Sequence, residues 1–461
     1  MERTAVPIDT KGPPARHDLT QGSIVKNLIR LSWPILVTQL LMTLGPTIDT
    51  IWVGKLGGTA IAAVGVAGTA VMLAMGLMMG FTMGTLALMA HAIGAKDSQL
   101  ANRVAQQSIV ISAVFAILIA LIGQIFGQQI ILLITKDPEI VKLGTIYLRI
   151  EFFGGATMVF RMTMDTIMQA AGDTFNPMWI AVVYRTFHII LCPFLIFGWL
   201  IFPEMGVSGA ALTGVISQGL GVVLGLRVLV GERSRVKLSF KDFKFDFGLI
   251  RRIVRIGVPS SISGIQRSLS QFFLQVFMAP FGGVALAAHV IAQRVEMFLF
   301  MPAMSFGSGA GVLVGQNLGA GKPDRAARSA WIAVGLLECL VVVIGAAMFI
   351  WAGAVVHIFS NDPGLDSVAV QYLRIAIVGW LMLGFDFTFM NCLMGAGDTM
   401  PAMIVNILVT WLVTIIPAYF LSQYTSMGVL GIRWAMAVSV VIGGIAMTIY
   451  FLTGKWKKRR V

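Results

Sequence analysis

Asp49, His188 and Cys192 bring a carboxylate, an imidazole and a thiol into stretches that are otherwise apolar. An ionisable side chain in hydrocarbon costs several kcal/mol, so it is kept for a pathway, a proton relay or a partner. Asp49 lies about 19 residues beyond Arg30, roughly 28 Å up a helix at about 1.5 Å per residue. No basic residue stands one turn away on that stretch. A carboxylate so placed can bind and release a proton or ligate a cation. The plainer alternative is an interfacial residue beside Trp52 and Lys55. His188 falls roughly 17 Å beyond Pro177 on a later stretch, with Cys192 one turn further. Its imidazole can titrate near physiological pH or simply hydrogen-bond a neighbouring helix.

Other polar groups share these stretches. Arg161 and Asp165, four apart, read as a structural pair. Arg185, Arg267, Arg294, Glu296, Glu338 and Asp386 are near charge balance, so most are expected to pair. Gln266, Gln271 and Gln275 form a partly polar stripe. Gln271, Gln275, Glu296 and Asp386 are candidates for a polar site in the second half. No catalytic residue is assigned. The five histidines, His17, His91, His188, His289 and His357, are scattered and show no His/Glu metal spacing. Cys192, Cys339 and Cys392 lack metal or redox spacing, so no metal, prosthetic cofactor or disulfide is expected.

The elements that position these groups are membrane helices. Apolar residues make up 57% of the chain and charged ones 12%, against about 25% charged in soluble domains. Stretches long enough to span recur at 31–53, 60–94, 104–127, 146–169, 177–201 and 207–229, then at 253–278, 284–318, 329–356, 369–394, 401–422 and 428–452. The second set repeats the first at one offset: Pro34 returns as Pro259, Gly94 as Gly319, Asp137-Pro138 as Asp362-Pro363. Tyr147-Leu148-Arg149-Ile150 likewise returns as Tyr372-Leu373-Arg374-Ile375, and Gly172-Asp173-Thr174 as Gly397-Asp398-Thr399. The expected fold is an all-α integral membrane protein, twelve transmembrane helices in two parallel six-helix repeats, as lobes around a cleft.

Basic residues set the orientation. Arg3, Lys11, Arg16, Lys26 and Arg30, the linker from Arg233 to Arg255, and the run Lys455 to Arg460 place both termini in the cytosol. The expected divisions are a cytosolic tail (1–26), an amino lobe (27–230), a linker (231–250), a carboxyl lobe (251–452) and a basic tail (453–461). Residues 1–26 have no apolar segment resembling a signal peptide. The net charge of +13 is thus a topology signal; no nucleic-acid module is present. Gly319-Ala320-Gly321-Lys322 lacks the remaining residues of a phosphate loop, so no nucleotide is expected.

Gly76/Gly80/Gly84 and Gly307/Gly311/Gly315 are small-xxx-small patterns, expected to pack helices within each lobe rather than to form a sliding face. The methionines from Met72 to Met89 read as filler, with an adaptable cavity as the alternative. Gly172-Asp173-Thr174 and its repeat read as turns and caps. Pro34 and Pro259 each remove one helical hydrogen bond; beyond the first turn this permits a bend.

Asp49-Thr50-Ile51-Trp52-Val53-Gly54, Val314-Gly315-Gln316-Asn317-Leu318-Gly319-Ala320-Gly321-Lys322-Pro323 and Gly395-Ala396-Gly397-Asp398-Thr399 resemble the multidrug and toxic compound extrusion (MATE) transporters. The resemblance spans roughly residues 25–452. It implies a cleft open to one side at a time, and drug export driven by inward flow of H+ or Na+. It also implies that Asp49 matches the family's cation-coupling aspartate and Pro34 its helix-bending proline. Some members carry Asn-x-x-x-Asp-Pro on helix 5, where this chain reads His188-Ile189-Ile190-Leu191-Cys192-Pro193. The expectation is a monomeric antiporter of the bacterial inner membrane exporting organic cations or neutral amphipaths. The alternatives are a flippase or exporter of lipid-linked or anionic substrates, and a non-transporting sensor or scaffold.

Overall fold

Aspartates mark the helix starts. Asp97 Oδ1 accepts from the Leu100 amide at 2.9 Å, Asp246 Oδ1 from Leu249 at 2.9 Å and Asp362 Oδ1 from Gly364 at 2.9 Å. Asp137, ahead of Pro138 at the first helical position, accepts from Glu139 and Ile140. Each carboxylate satisfies amides that the helix leaves unpaired. The structure is a computed structural model, which describes residues 18–231, 236, 238–241, 243–359 and 362–459. Arg3, Lys11, Arg16, His17, Arg233, Arg235, Lys237 and Arg460, with most of the tail 1–26, lie outside the described residues.

The helices are α1 (Ile24–Gly54), α2 (Gly58–Gly94), α3 (Ser98–Leu132), α4 (Pro138–Ala170), α5 (Phe175–Phe197), α6 (Val207–Val230), α7 (Phe247–Met278), α8 (Gly283–Gly319), α9 (Pro323–His357), α10 (Pro363–Trp380), α11 (Leu383–Gly395), α12 (Thr399–Tyr424) and α13 (Val429–Leu452). With α10 and α11 as one broken crossing, this is a twelve-crossing, all-helical membrane fold. Among the described residues, nine of these helices are by themselves long and apolar enough to cross a membrane. α4 and α7 are equally long but carry charges, and those charges matter below.

The stretch 369–394 is not the single helix its sequence suggests. It bends by 51° between α10 and α11. Glu338 on α9 accounts for the break: its Oε1 accepts from the amides of Gly384 at 2.9 Å and Phe385 at 3.3 Å. A carboxylate there satisfies amides and complements the positive end of α11. α12 widens to a π-turn over Val409–Ile415, just ahead of Pro417, whose ring crowds the preceding carbonyls.

The two halves meet at one end, termed here the base, which carries Leu19 and the α2–α3 and α8–α9 turns. There a single apolar core joins both halves, from Leu28 and Leu86 to Leu313 and Phe389. Away from the base each half has its own clusters, around Val53 and Leu148 in the first and around Val295, Leu299 or Leu274 in the second. The joint follows the repeat. Gly94 of α2 lies against the Gln316 backbone of α8, while Gly319 lies against His91; Gly84 meets Ile253 of α7, while Gly309 meets Ser32 and Leu28 of α1. These exchanged contacts are what parallel repeats related by an axis along the membrane normal produce.

One expectation is corrected here. Gly76 and Gly80 pack across the halves, not within the first. A Cβ on Gly257 would lie 2.7 Å from the Gly80 oxygen, and one on Gly264 3.1 Å from that of Gly76. Ser261 Oγ donates to the Leu77 carbonyl at 2.8 Å in the same seam. Gly307 and Gly311 do pack within the second half, against Asn391 of α11.

Residues 18–22 strap the base. Leu19 is buried, Lys322 Nζ donates to Thr20 O at 3.0 Å, and Arg325 donates to the Gln21 and Gly22 carbonyls at 2.9 Å. Burial pushes the Asp18 carboxyl up, but hydrogen bonds from Thr20 and the charges of Lys96 and Lys322 more than offset it, leaving the group below its ordinary range. Lys96 and Lys322 belong to opposite halves.

Candidate functional site

α1 is built to yield. Pro34 stands well beyond the first turn of Ile24–Gly54, so the Arg30 carbonyl loses its helical donor. Thr174 Oγ1 donates to that carbonyl at 3.4 Å. In the second repeat Thr399 Oγ1 donates to Ile256 O at 2.9 Å, beside Pro259. The Gly-Asp-Thr turns therefore tie α5 and α12 to α1 and α7 beside their prolines. Pro46 interrupts α1 again, three residues before Asp49. Thr38, Thr47 and Thr50 bond to the carbonyls of Pro34, Thr43 and Pro46, a pattern that bends helices.

Asp49, His188 and Cys192 meet where α1 packs on α5. His188 Nε2 lies 2.8 Å from Asp49 Oδ1, and Cys192 Sγ donates to the same oxygen at 3.5 Å. All three are buried. Arg185, one turn before His188, reaches His188 Nδ1 at 2.9 Å. A guanidinium only donates, so Nδ1 must be the acceptor; the neutral imidazole then carries its proton on Nε2 and donates to Asp49. Arg185 has room because position 45 is glycine. A Cβ there would fall inside the guanidinium.

The result is a charge-balanced chain, Arg185⁺–His188–Asp49⁻. The carboxylate oxygen, ring nitrogen and thiol sulfur lie within 4.8 Å of one another. Yet the Arg185 bond keeps the Nε2 proton on the atom that would face a metal ion, so the trio is arranged as a hydrogen-bonded network. On α4, Tyr147 and Glu151 lie within electrostatic reach of Asp49. Sequence reasoning missed Gly45, Pro46, the part played by Arg185, and Glu151 altogether.

Removing the guanidinium gives a sharp test. In Arg185→Met, Nδ1 is free to bind a proton, and His188 can become an imidazolium paired with Asp49. The pH profile of transport should then differ in shape from that of the wild type. Superimposable profiles exclude this role for Arg185.

The candidates of the second half do not come together. Gln271 accepts from Gln293 at 2.8 Å, and Gln275 is exposed. Glu296 is ion-paired with Arg433, which also reaches His289 at 3.2 Å and lies over the Tyr372 ring. Asp386 lies within electrostatic reach of Arg267. Arg161 pairs with Asp165 as expected, and also donates to Gln218 at 2.6 Å.

Two helical repeats joined at one end, with ionisable groups buried among their apolar spans, have the architecture of a multi-pass membrane transporter. The chain belongs to the MatE family, whose profile matches residues 34–194 and 259–420, each match opening on a repeat proline. It is 26% identical over 448 residues to the probable multidrug resistance protein NorM of Thermotoga maritima, covering 95% of this chain and 94% of that one. It is 22% identical to a FAD transporter of Shewanella oneidensis, covering 94% and 95%. The crystal structure of MATE in the bent conformation superimposes with a TM-score of 0.88 at 24% identity, covering 95% and 96%. Members of this family are ion-coupled efflux transporters of small molecules, not enzymes.

Proposed function

We propose that the protein is a proton-coupled antiporter of a bacterial inner membrane that exports amphipathic organic compounds, with Asp49 as the coupling carboxylate. In this reading the base faces the cytosol, residues 27–230 and 251–452 act as two lobes, and the joined base is the outward-open arrangement. The observation that carries the proposal is the Asp49–His188–Arg185 chain. Asp49 is met by an N–H and an S–H donor, whereas a hard cation such as Na+ calls for oxygen ligands. When Asp49 takes a proton the carboxylate loses its charge, and Arg185 is left unbalanced in a buried site. The network must then rearrange at the point where Pro46 and Gly45 make α1 yielding. Each ligand moves the equilibrium only by binding the two states differently.

The test uses purified protein in liposomes loaded with ethidium. A pH gradient should drive efflux and a Na+ gradient should not. Efflux under Na+ alone overturns the proton assignment.

A second reading has one specific support. Arg267 on α7 is exposed just beyond the Gly264 seam, and one relative is a FAD transporter. Export of an anionic dinucleotide fits such a cationic contact. FAD efflux abolished by Arg267→Gln, with ethidium untouched, favours this reading over the first.

A further inference from the structure

Glu151 is the one acid near the site that the network leaves unused. It sits half-buried on α4, one turn beyond Tyr147. Its surroundings provide desolvation and the charge of Asp49, with no hydrogen bond or ion pair from the described residues. It lines a narrow cavity of about 40 Å³ whose other walls include Met75, Met78, Phe115, Phe152 and Met158. Space of that size holds a few water molecules. The methionines expected as filler thus include two that wall this cavity.

The groups facing Glu151 can be taken helix by helix. α1 contributes Asp49, whose own partners on α5 are His188, with Arg185 behind it, and Cys192. α6 brings Gly214, whose missing side chain leaves space for the Glu151 carboxyl. The cavity walls on α2 and α3 are apolar: Val71, Met75 and Met78, then Phe115 and Ile119. On α4, Arg149 is turned toward Gly127 of α3. Among the described residues no cation therefore answers Glu151, while a second carboxylate stands within reach. With Arg185 already balancing Asp49 through His188, a negative charge on Glu151 has no counter-charge of its own among the described residues.

We propose that Glu151 is a second proton-carrying residue of the transport cycle, so that two protons move per substrate, one on Asp49 and one on Glu151. The inference rests on the proton-antiport reading above. Each carboxylate takes one proton from the outer side through the water-sized cavity and the open cleft. Each releases it to the cytosolic side after the lobes exchange access. No bond other than O–H is made or broken.

The experiment has two arms. The first clamps the membrane potential at zero and measures the ethidium gradient that a fixed pH gradient sustains. A tenfold proton gradient should hold about a hundredfold dye gradient in wild type and about tenfold in Glu151→Gln. Glu151→Asp should restore the wild-type ratio, which excludes a merely structural loss. Equal ratios in wild type and Glu151→Gln overturn the proposal. The second arm needs no transport: infrared difference spectra of the reconstituted protein between acid and alkaline pH. Glu151→Gln should remove one protonated-carboxyl band that Asp49→Asn retains. If the band is present while no dye moves, the antiport reading fails and Glu151 still binds a proton. If Glu151→Gln leaves the bands unchanged, the inference on Glu151 is wrong even where antiport stands.

Discussion

Asp49→Asn should reduce gradient-driven efflux to the leak of protein-free vesicles, while leaving dye affinity within about tenfold, or ~1.4 kcal/mol, of wild type. The amide oxygen can still accept from His188 Nε2, so the packing of α1 on α5 survives. The change removes the one thing an amide cannot supply, which is a charge that appears and disappears. With the side chain at position 49 permanently neutral, Arg185 is always without its counter-charge and the network no longer differs between the two ends of the cycle. A ligand with equal interaction with both states shifts nothing. Flux under a substrate gradient alone, measured beside flux under a proton gradient, separates loss of coupling from loss of the protein. Full pH-driven efflux by Asp49→Asn would show that the coupling group lies elsewhere.

The expected loss also explains why so little surrounds Asp49 on its own helix. Its balancing charge comes from α5, and it comes indirectly, through an imidazole. Reading α1 alone finds a carboxylate without a basic neighbour one turn away, and that reading is right for the helix. What it cannot supply is the packing angle that brings Arg185 into the notch at Gly45.

The repeat made much of the fold legible, because shared residues such as Pro34/Pro259 and Gly94/Gly319 sit where the two halves make equivalent contacts. The same repeat drew attention away from the chemistry. At the repeat offset Asp49 faces Leu274 and Glu151 faces Ala376, so the chemistry stands where the halves differ. Glu151 closely follows the matching run Tyr147–Ile150 and was passed over as part of it. Other features depended on tertiary contacts that no local pattern records. Glu338 reads as one more span acid until α11 places two free amides against it. Gly76 and Gly80 read as ordinary packing glycines, since small residues serve close approach whether the partner helix lies in the same half or the other.

Those glycines carry the other large effect. Gly257→Leu should shift the protein away from the closed-base state. The Cβ alone would meet Gly80 O at 2.7 Å, Gly80 C at 3.0 Å and Phe81 Cα at 3.2 Å. All three are backbone atoms, and no rotamer change relieves them. Overpacking of this kind costs about 1–3 kcal/mol. In the alternating-access cycle proposed above, opening the base parts the α2–α7 seam, so the cost falls on the joined state. Each ~1.4 kcal/mol moves a two-state ratio tenfold, so the ratio of closed to open base should fall by about tenfold or more. Gly257→Ala should move it in the same direction by less. Spin labels on Gln99→Cys and Arg328→Cys, both exposed at the base on opposite halves, report the change as a longer and broader distance distribution, in a background without the exposed Cys339. The strap at residues 18–22 resists the same opening, since Lys322 and Arg325 hold its carbonyls. Lys322→Ala should therefore add to the shift produced by Gly257→Leu. An unchanged distance distribution in Gly257→Leu would mean that the seam accommodates the side chain without parting, and that the halves do not separate along α2 and α7.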